Sequence, residues 1–358
     1  MGQLWDRVPP IKPTHANKLR IVNELVSGLA YLHKLSIVHR DLKPHNVLIS
    51  PAGTIQITDM GLARRVRTES SSFSLALSPL QVTAARRRAG VVTVAADDGD
   101  ADAANDDEVA EGVASWLGGS AGWQAPEVLA LYVAIAEGTE LADQVRPSRK
   151  VDLFSLGCLV YYVLTDGYHP FGEGLDRQSR ILAGTSTFDA LVGRDGLHAD
   201  TGALVRACVA TSPADRPDAA SIRRHPALWT PATRLQFLRD ASDRLEFDKA
   251  SSFLVRMLEE DARSVVGSDW SQRFTPELIE DLGRYRNYNT RTVRDLLRVI
   301  RNKAHHYRDL PFRLQKVLGD LPDAYLNHFE SRFPRLLLHV HTLVLQYCSK
   351  ESWLDPYR

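Results

Sequence analysis

Residues 39–46 read His-Arg-Asp-Leu-Lys-Pro-His-Asn. Three side chains in this stretch carry complementary chemistry at fixed spacing. Asp41 offers a carboxylate that can orient a hydroxyl and accept its proton, Lys43 offers a cation, and Asn46 offers an amide oxygen. A carboxylate, a cation and an oxygen ligand for magnesium are the parts that phosphoryl transfer requires. The stretch therefore predicts a phosphate-handling site.

Two further motifs follow in the order in which they occur in protein kinases. Asp59-Met60-Gly61 comes thirteen residues after Asn46, and Ala125-Pro126-Glu127 comes later in the chain. They match the D-F-G motif, with Met in place of Phe, and the A-P-E motif. Residues 1–228 therefore resemble the C-terminal lobe of a protein kinase, a mainly α-helical lobe with a few short β-strands.

The kinase resemblance implies roles for individual residues. It implies that Asp41 and Lys43 are catalytic, and that Lys43, Asn46 and Asp59 bind the cofactor, ATP or ADP. It also implies that Asn46 and Asp59 are the ligands of Mg²⁺.

The same resemblance implies structural roles and a missing part. Asp152 lies where kinases carry the Asp of their central buried helix, and Glu127 and Arg216 match a pair that forms a buried salt bridge. Only 38 residues precede His39, and they contain neither G-x-G-x-x-G nor V-A-x-K. We expect that the kinase N-terminal lobe is absent through truncation of a longer protein, and that this chain alone has little or no kinase activity.

Apolar periodicity predicts the secondary structure around these motifs. It predicts no convincing strand after about residue 60. Thr275 and Pro276 are expected to be the N-cap and first residue of the helix that begins at Pro276. The predicted elements are a helix at Lys18–Lys34, strands at Val47–Ile49 and Ile55–Thr58, a buried helix at Val151–Leu164, and helical segments at Leu235–Glu260 and Pro276–Tyr285.

Residues 68–117 differ in composition from the rest of the chain. They contain a basic cluster at Arg86–Arg88, followed by eight carboxylates between Asp97 and Glu111 with no Lys or Arg among them. Such a block predicts a disordered, solvated insert in the activation segment. The kinase resemblance makes its hydroxyl side chains candidate phosphoacceptors, namely Thr68, Ser70, Ser71, Ser72 and Ser74.

Residues 284–316 form the opposite kind of block, with ten Lys or Arg against Asp295 and Asp309, a net charge of about plus eight. Such a block predicts contact with phosphate. Val293, Leu296, Leu297 and Ile300 follow a helical apolar stripe, so Arg294, Arg298 and Arg301 are expected to face outward.

Cleavage of RNA without a metal needs a base for the ribose 2′-hydroxyl, an acid for the leaving 5′-oxygen, and donors for the phosphate. Histidine suits acid–base chemistry near neutral pH, and arginine suits phosphate oxygens. Tyr288, Arg301, Asn302 and His306 together supply this set. Composition alone leaves open that the segment is only a solvated or RNA-contacting face.

Several stretches resemble the kinase-extension nuclease domain of the inositol-requiring-enzyme family, which joins a kinase to an endoribonuclease and senses stress in the endoplasmic reticulum. They are Leu235–Glu246, Val293–Tyr307 and Ser331-Arg332-Phe333-Pro334. The resemblance implies an all-α domain at residues 229–358. It implies that Tyr288, Arg301, Asn302 and His306 are catalytic and that the nuclease uses no cofactor.

The family resemblance also implies partners and a location. The implied substrate is stem-loop RNA in messenger splicing or decay during the unfolded protein response, and the implied assembly is a homodimer or higher oligomer. Full-length members work at the cytosolic face of the endoplasmic reticulum membrane. The longest apolar run in this chain is interrupted by His339 and His341, so we expect no membrane contact by the chain itself, which alone would be cytoplasmic.

Alternatives remain at this point. The chain could be an ordinary serine/threonine protein kinase with a helical tail, or a noncatalytic pseudokinase dimerisation fragment. The 2-5A-dependent ribonuclease shares the nuclease domain, but the intact motifs at 39–46 and 59–61 and the lack of ankyrin repeats disfavour it. The overall formal charge is zero because the acidic insert and the basic block cancel, so it excludes only a uniformly basic chain.

Overall fold

The computed structural model describes residues 14–66, 118–137, 148–191, 199–284 and 286–357. The chain divides into two compact units, Met1–Leu197 with Leu204–Arg223 and His198–Ala203 with Arg224–Arg358. The described residues are mainly helical with a few short strands, which is the predicted fold class. The predicted insert at 68–117, with its phosphoacceptor candidates, lies outside them. Within the described residues, no helix combines the length and the apolar composition needed to cross a membrane.

The helices up to residue 223 begin with one that the sequence predicts well. Thr14 starts α1 by accepting a hydrogen bond from the Asn17 N–H at 3.3 Å, and the apolar stripe Ile21, Leu25 and Leu29 is buried. The helices are α1 (His15–Lys34), α2 (Pro126–Glu137), α3 (Lys150–Leu164), α4 (Arg177–Leu182), α5 (Ala199–Cys208) and α6 (Ala219–Arg223).

Two antiparallel strand pairs place the first motifs side by side. Strand β1 (Ile37–Val38) pairs with β4 (Arg64–Arg65), and β2 (Val47–Ile49) pairs with β3 (Ile55–Ile57). Residues 39–46, which we call the catalytic loop after their kinase counterpart, therefore connect β1 to β2, and the Asp59 motif connects β3 to β4. The prediction of no strand after about residue 60 is wrong, because β4 consists of two exposed arginines and carries no apolar alternation.

Helix α3 is the core of the first unit. Every residue from Val151 to Leu164 is buried, as its uniformly apolar sequence predicts. Gly157 allows this burial, because a Cβ at that position would lie 2.6 Å from the Cβ of Cys208. Beside the helix, both terminal nitrogens of Arg216 donate to the Glu127 carboxylate at 2.7 and 2.8 Å, which confirms the predicted buried pair.

The second unit is all-α. Its helices are α7 (Pro231–Glu246), α8 (Phe253–Glu260), α9 (Ala262–Val266), α10 (Pro276–Gly283), α11 (Val293–His305), α12 (Phe312–Leu318), α13 (Asp323–Glu330) and α14 (Leu336–Tyr347). Helix α7 packs along α11, and one continuous apolar core, with Trp270 and Phe237 among its largest members, joins the helices.

One prediction in this unit needs correction, and another is confirmed in position but not in its hydrogen bond. The segment 235–260 is two helices rather than one, because α7 ends at Glu246 and the Ser252 hydroxyl starts α8 by accepting from the Val255 N–H. Thr275 stands at the N-cap of α10, but its buried hydroxyl makes no hydrogen bond within the described structure. The cap geometry therefore depends on Pro276 at the first helical position rather than on the threonine side chain.

Candidate functional sites

Asp152 of α3 anchors the backbone of the catalytic loop. Its two carboxylate oxygens accept from the backbone N–H groups of His39 at 2.8 Å and Arg40 at 2.7 Å. The His33 ring nitrogen Nε2 lies 2.9 Å from Oδ2 of the same carboxylate. Arg40 has a φ of 73°, which L-residues adopt at a cost, and the buried carboxylate holds it there.

The side chains of Lys43 and Asn46 both contact the carboxylate of Asp41. Lys43 Nζ donates to Asp41 Oδ2 at 2.8 Å, and Asn46 Nδ2 donates to the same oxygen at 3.1 Å. The other oxygen, Asp41 Oδ1, is buried and has no hydrogen-bond partner in the described structure. Lys43 also donates to the Ser120 hydroxyl. One oxygen of Asp41 is therefore held by cationic and amide donors, and the other is left without a hydrogen bond within the described residues.

Asp59 is brought beside this loop by the strand pairing. Thr58, its neighbour, donates its N–H to the Asn46 carbonyl at 2.9 Å, and its own carbonyl accepts from the His39 ring at 2.9 Å. Asp59 itself is exposed, adopts a φ of 63° and accepts from the Gly61 N–H. The strand pairing thus places Asp59 next to a residue whose backbone contacts both His39 and Asn46.

The donor set fits magnesium with a nucleotide. Asn46 uses its amide nitrogen on Asp41, which leaves its amide oxygen as a ligand, and Asp59 adds an exposed carboxylate. Mg²⁺ is commonly held by one or two protein oxygens together with phosphate oxygens and water. No group of three or more His, Cys, Asp or Glu side chains able to hold a metal exists among the described residues.

Helix α11 carries the second candidate site. Thr292 caps it by accepting from the Asp295 N–H, and Glu259 accepts from the N–H groups of Val293 and Arg294 at 2.8 and 3.0 Å. The predicted apolar stripe is fully buried, with Val293, Leu296, Leu297 and Ile300 all at 0% exposure.

The prediction that the arginines of α11 face outward is wrong. Arg294 is buried and donates to the carbonyls of Leu245, Glu246 and Asp248 at the end of α7, at 2.6–2.9 Å. Arg298 donates to Glu246 at 2.7 Å and to Asp295 at 2.6 Å. The unpaired carbonyls at a helix C-terminus carry partial negative charge and attract cations, which explains the orientation of Arg294.

Three of the four predicted nuclease residues form one hydrogen-bonded series. Arg301 Nε donates to Asn302 Oδ1 at 3.1 Å, and Asn302 Nδ2 donates to the Tyr288 hydroxyl at 3.2 Å. The Tyr288 ring packs edge-on near Trp270, at a centroid distance of 6.4 Å. The series therefore joins α11 to the segment before it and leaves the hydroxyl proton of Tyr288 available.

His306 stands at the end of this series. Its backbone N–H donates to the Asn302 carbonyl at 3.0 Å, so it caps α11 one turn after Asn302. Its side chain is 65% exposed, and Nδ1 lies 3.5 Å from Asp309 Oδ2. In the described structure no hydrogen bond joins its ring to Tyr288, Arg301 or Asn302. His305 lies beside it, with ring centroids 4.9 Å apart.

Two carboxylates of α7 complete the site, and the sequence analysis assigned them no role. Arg301 Nη1 lies 3.1 Å from Asp243 Oδ1, and Nη2 lies 3.3 Å from Glu246 Oε2. Arg286 lies 3.6 Å from the other oxygen of Glu246. A pair of acids spaced i, i+3 at the end of one helix, with a basic helix later in the chain, is the signal that could have found them.

Glu246 stays ionised because of these arginines. Partial burial opposes its charge, but the hydrogen bond from Arg298 and the positive charges of Arg298, Arg301 and Arg286 outweigh that effect and lower the pKa of the carboxyl. Lys303 is also buried against Asp281. Three carboxylates from outside residues 284–316 (Asp243, Glu246 and Asp281) therefore compensate part of the predicted net charge of about plus eight.

Comparison with known proteins gives the chain its relatives. The family model described as Ribonuclease 2-5A matches residues 234–358, and the one described as Protein kinase domain matches residues 2–85. The serine/threonine-protein kinase/endoribonuclease ire-1 of Caenorhabditis elegans is 40% identical over 343 residues, which make up 94% of this chain and 30% of that protein. The chain belongs to the inositol-requiring-enzyme family of kinase/endoribonucleases.

Other members of the inositol-requiring-enzyme family match over a similar range. The human serine/threonine-protein kinase/endoribonuclease IRE2 is 37% identical over 350 residues, 94% of this chain and 32% of that protein. The Schizosaccharomyces pombe protein named "Sensor for unfolded proteins in the ER ire1" is 34% identical over 347 residues, 94% of this chain and 30% of that protein. The chain spans about a third of the length of these relatives.

Proposed function

We propose that this chain is an endoribonuclease that cleaves stem-loop RNA without a metal, with a kinase-type nucleotide site attached. Residues 229–358 would form the nuclease domain, and residues 1–228 the kinase C-terminal lobe. The observation that carries the nuclease proposal is the hydrogen-bonded series from Tyr288 through Asn302 to Arg301, which ends one helical turn before His306.

The reaction is an internal transesterification. The ribose 2′-oxygen attacks the adjacent phosphorus while the bond from phosphorus to the 5′-oxygen breaks. The 2′-hydroxyl proton goes to a base and a second group supplies a proton to the 5′-oxygen. The products are a 2′,3′-cyclic phosphate and a free 5′-hydroxyl.

The geometry suggests how the four residues share this work. Tyr288 and His306, at the two ends of the set, are the groups that can move a proton. We assign Tyr288 to relay the 2′-hydroxyl proton, accepting it while its own phenolic proton passes to water, and a protonated His306 to supply the proton to the 5′-oxygen. Arg301 and Asn302 lie between them with N–H donors suited to the phosphate oxygens. His306 is exposed, as an acid that must reach a bound leaving group requires.

The test uses stem-loop RNA in EDTA. Wild type is expected to cleave it to a 2′,3′-cyclic phosphate, identified by mass spectrometry. His306→Ala is expected to lose about a thousandfold in rate, whereas the matched control His305→Ala keeps activity. Replacing the 5′-oxygen by sulfur makes a leaving group that needs no acid, so this substrate is expected to rescue His306→Ala but not Arg301→Ala. Equal cleavage by His306→Ala and wild type would refute the assignment.

A nucleotide site in the first unit is a second proposal, favoured by the unpartnered Asp41 Oδ1. Lys43, Asn46 and Asp59 would hold ATP or ADP with Mg²⁺, and Asp41 would accept the proton of a serine or threonine hydroxyl. The bound nucleotide supplies the phosphoryl group. Calorimetric titration with ATP and Mg²⁺ tests this site, and Asp59→Asn is expected to weaken binding only when magnesium is present.

We further propose the setting of this activity. The chain would act as a homodimer or higher oligomer at the cytosolic face of the endoplasmic reticulum membrane and take part in messenger splicing or decay during the unfolded protein response. The relatives' printed names, which include a sensor for unfolded proteins, support this setting. Sedimentation of the chain with and without nucleotide measures the assembly, and a monomer under all conditions would contradict it.

A further inference from the structure

Phe247 is the most exposed aromatic side chain in the part of the chain that the structure describes, at 91%. It follows Glu246 directly and caps the end of α7 with helical backbone angles of −82° and −12°. Lone exposed apolar residues are common on protein surfaces, so exposure alone means little. The position of this one relative to the nuclease residues gives it meaning.

The turn that presents Phe247 is fixed to the nuclease helix. Arg294 of α11 donates to the carbonyls of Glu246 and Asp248, the residues on either side of Phe247. Asp248 also lies 3.1 Å from Arg244, one turn earlier. The backbone on both sides of the ring is therefore anchored, so presenting the ring to a ligand costs little backbone conformational entropy.

The sequence position of Phe247 places it close to the candidate nuclease residues. Because Phe247 continues the helix, it stands one turn after Asp243, where side chains spaced i, i+4 are neighbours. The Asp243 carboxylate is 3.1 Å from Arg301. Glu246, the preceding residue, contacts Arg298 and Arg301. An aromatic surface thus borders the arginines that would face the phosphate.

We propose that Phe247 stacks on an unpaired base of the RNA whose backbone the Arg301 site binds, and so favours looped over fully paired RNA. The inference rests on the proposed nuclease function. An aromatic ring beside phosphate-binding arginines is complementary to single-stranded RNA, whose splayed bases stack on such rings while the backbone contacts cations.

The test measures binding separately from cleavage. A stem-loop RNA with 2′-deoxyribose at the scissile nucleotide binds but cannot react, so fluorescence anisotropy gives its Kd. Phe247→Ala is expected to raise Kd about tenfold, and Phe247→Tyr to stay near wild type. The matched control is Phe253→Ala, which truncates a 52% exposed ring that packs against Tyr347 instead. A fully paired duplex is expected to bind wild type and Phe247→Ala equally.

Abasic substitution through the loop identifies the stacked base. At one loop position, removing the base is expected to weaken binding to wild type about tenfold while leaving Phe247→Ala unchanged. Equal affinity of Phe247→Ala and wild type for the loop would overturn the stacking proposal, as would an equal loss with the duplex.

A second copy of the chain is the rival occupant of this surface. If Phe247→Ala lowers the sedimentation coefficient and regains full RNA affinity at high protein concentration, the ring belongs to an interface between copies and the stacking proposal is overturned. Failure of wild type to cleave the unmodified stem-loop would instead refute the proposed nuclease function, on which the stacking depends.

Discussion

The guanidinium of Arg301 lies 3.3 Å from Glu246 Oε2, although 55 residues separate the two along the chain. Glu246 also binds Arg298 at 2.7 Å and lies 3.6 Å from Arg286. One carboxylate of α7 therefore holds three arginines, two on α11 and one in the segment that precedes it. The orientation of Arg301, which we propose is catalytic, therefore depends on a carboxylate that the proposed reaction does not use.

Replacing this carboxylate by an amide is expected to slow RNA cleavage without unfolding the domain. Glu246→Gln keeps the shape but removes the charge that aligns Arg301, so we expect kcat to fall between about tenfold and a hundredfold. Glu280→Gln is the matched control, because Glu280 pairs with Arg284 at an exposed position. Since the Glu246 pairs are partly exposed, the loss of stability is expected to be only about 1 kcal/mol. Equal kcat for Glu246→Gln and wild type would contradict the positioning role.

The buried group around Arg234 is expected to make stability depend on pH. Arg234 lies 3.0 Å from Asp200 and 2.9 Å from Glu330. Burial, opposed by Arg234 and reinforced by the charge of Asp200, raises the pKa of Glu330 to about 7. Between about pH 4.5 and 7 the native state therefore keeps a proton on Glu330 that the unfolded state has released. Glu330 thus favours the folded state most at low pH, and this stabilisation is lost as pH rises from about 4.5 to 7.

Glu330→Gln is the variant that tests this dependence. It is expected to keep its stability better than wild type as pH rises from about 5 to 8. His225 and His341, whose pKa values burial lowers to about 4, act in the opposite sense and destabilise the fold as pH falls through the range below 6.5. Thermal melting of both chains across pH 5–8 measures the difference, and parallel curves would show that Glu330 is not the group responsible.

The close approach at Gly157 is expected to tolerate no side chain. Gly157→Ala would place a Cβ 2.6 Å from Cys208 Cβ and 2.8 Å from Val209 Cγ1, so we expect a loss of about 1–3 kcal/mol in the free energy of unfolding. Gly202→Ala, in α5, meets nothing within 4 Å and is expected to be neutral or stabilising by up to about 1 kcal/mol. Denaturant unfolding of both variants measures the difference. A Gly157→Ala protein as stable as wild type would contradict the prediction.

Removing the anchor of the catalytic loop is expected to affect the nucleotide site and the fold together. Asp152→Asn turns one of two buried acceptors into a donor that faces a backbone N–H of His39 or Arg40, at a cost of about 3 kcal/mol. We expect a lower melting temperature and lost ATP binding, measured by calorimetry. Asp176→Asn, at an exposed position, is the control that should change neither.

Local sequence predicted what local geometry decides. The loop at 39–46 assembles as expected because its groups are within a few residues of each other, and the buried stripes of α1, α3 and α11 follow from period alone. What failed depends on distant residues. A helical period separates the buried face of α11 from the rest, but it could not show that the end of α7 covers Arg294 and Arg298.

The net charge counted along residues 284–316 overstates the charge of this region in the fold, for the same reason. A count along residues 284–316 omits Asp243, Glu246 and Asp281. These three acids precede the segment in the chain but pair with several of its cations in the fold. The break between α7 and α8 was also missed, because no Gly or Pro interrupts residues 235–260.

His306 is attached to the rest of the nuclease set through the last hydrogen bond of α11, from its own amide to the Asn302 carbonyl. The final turn of a helix is the part that frays first on warming. Fraying of that single turn would separate the imidazole from the amide while the domain remains folded. Activity would then decline at temperatures below global melting, and deuterium uptake at the His306 amide would report the decline directly.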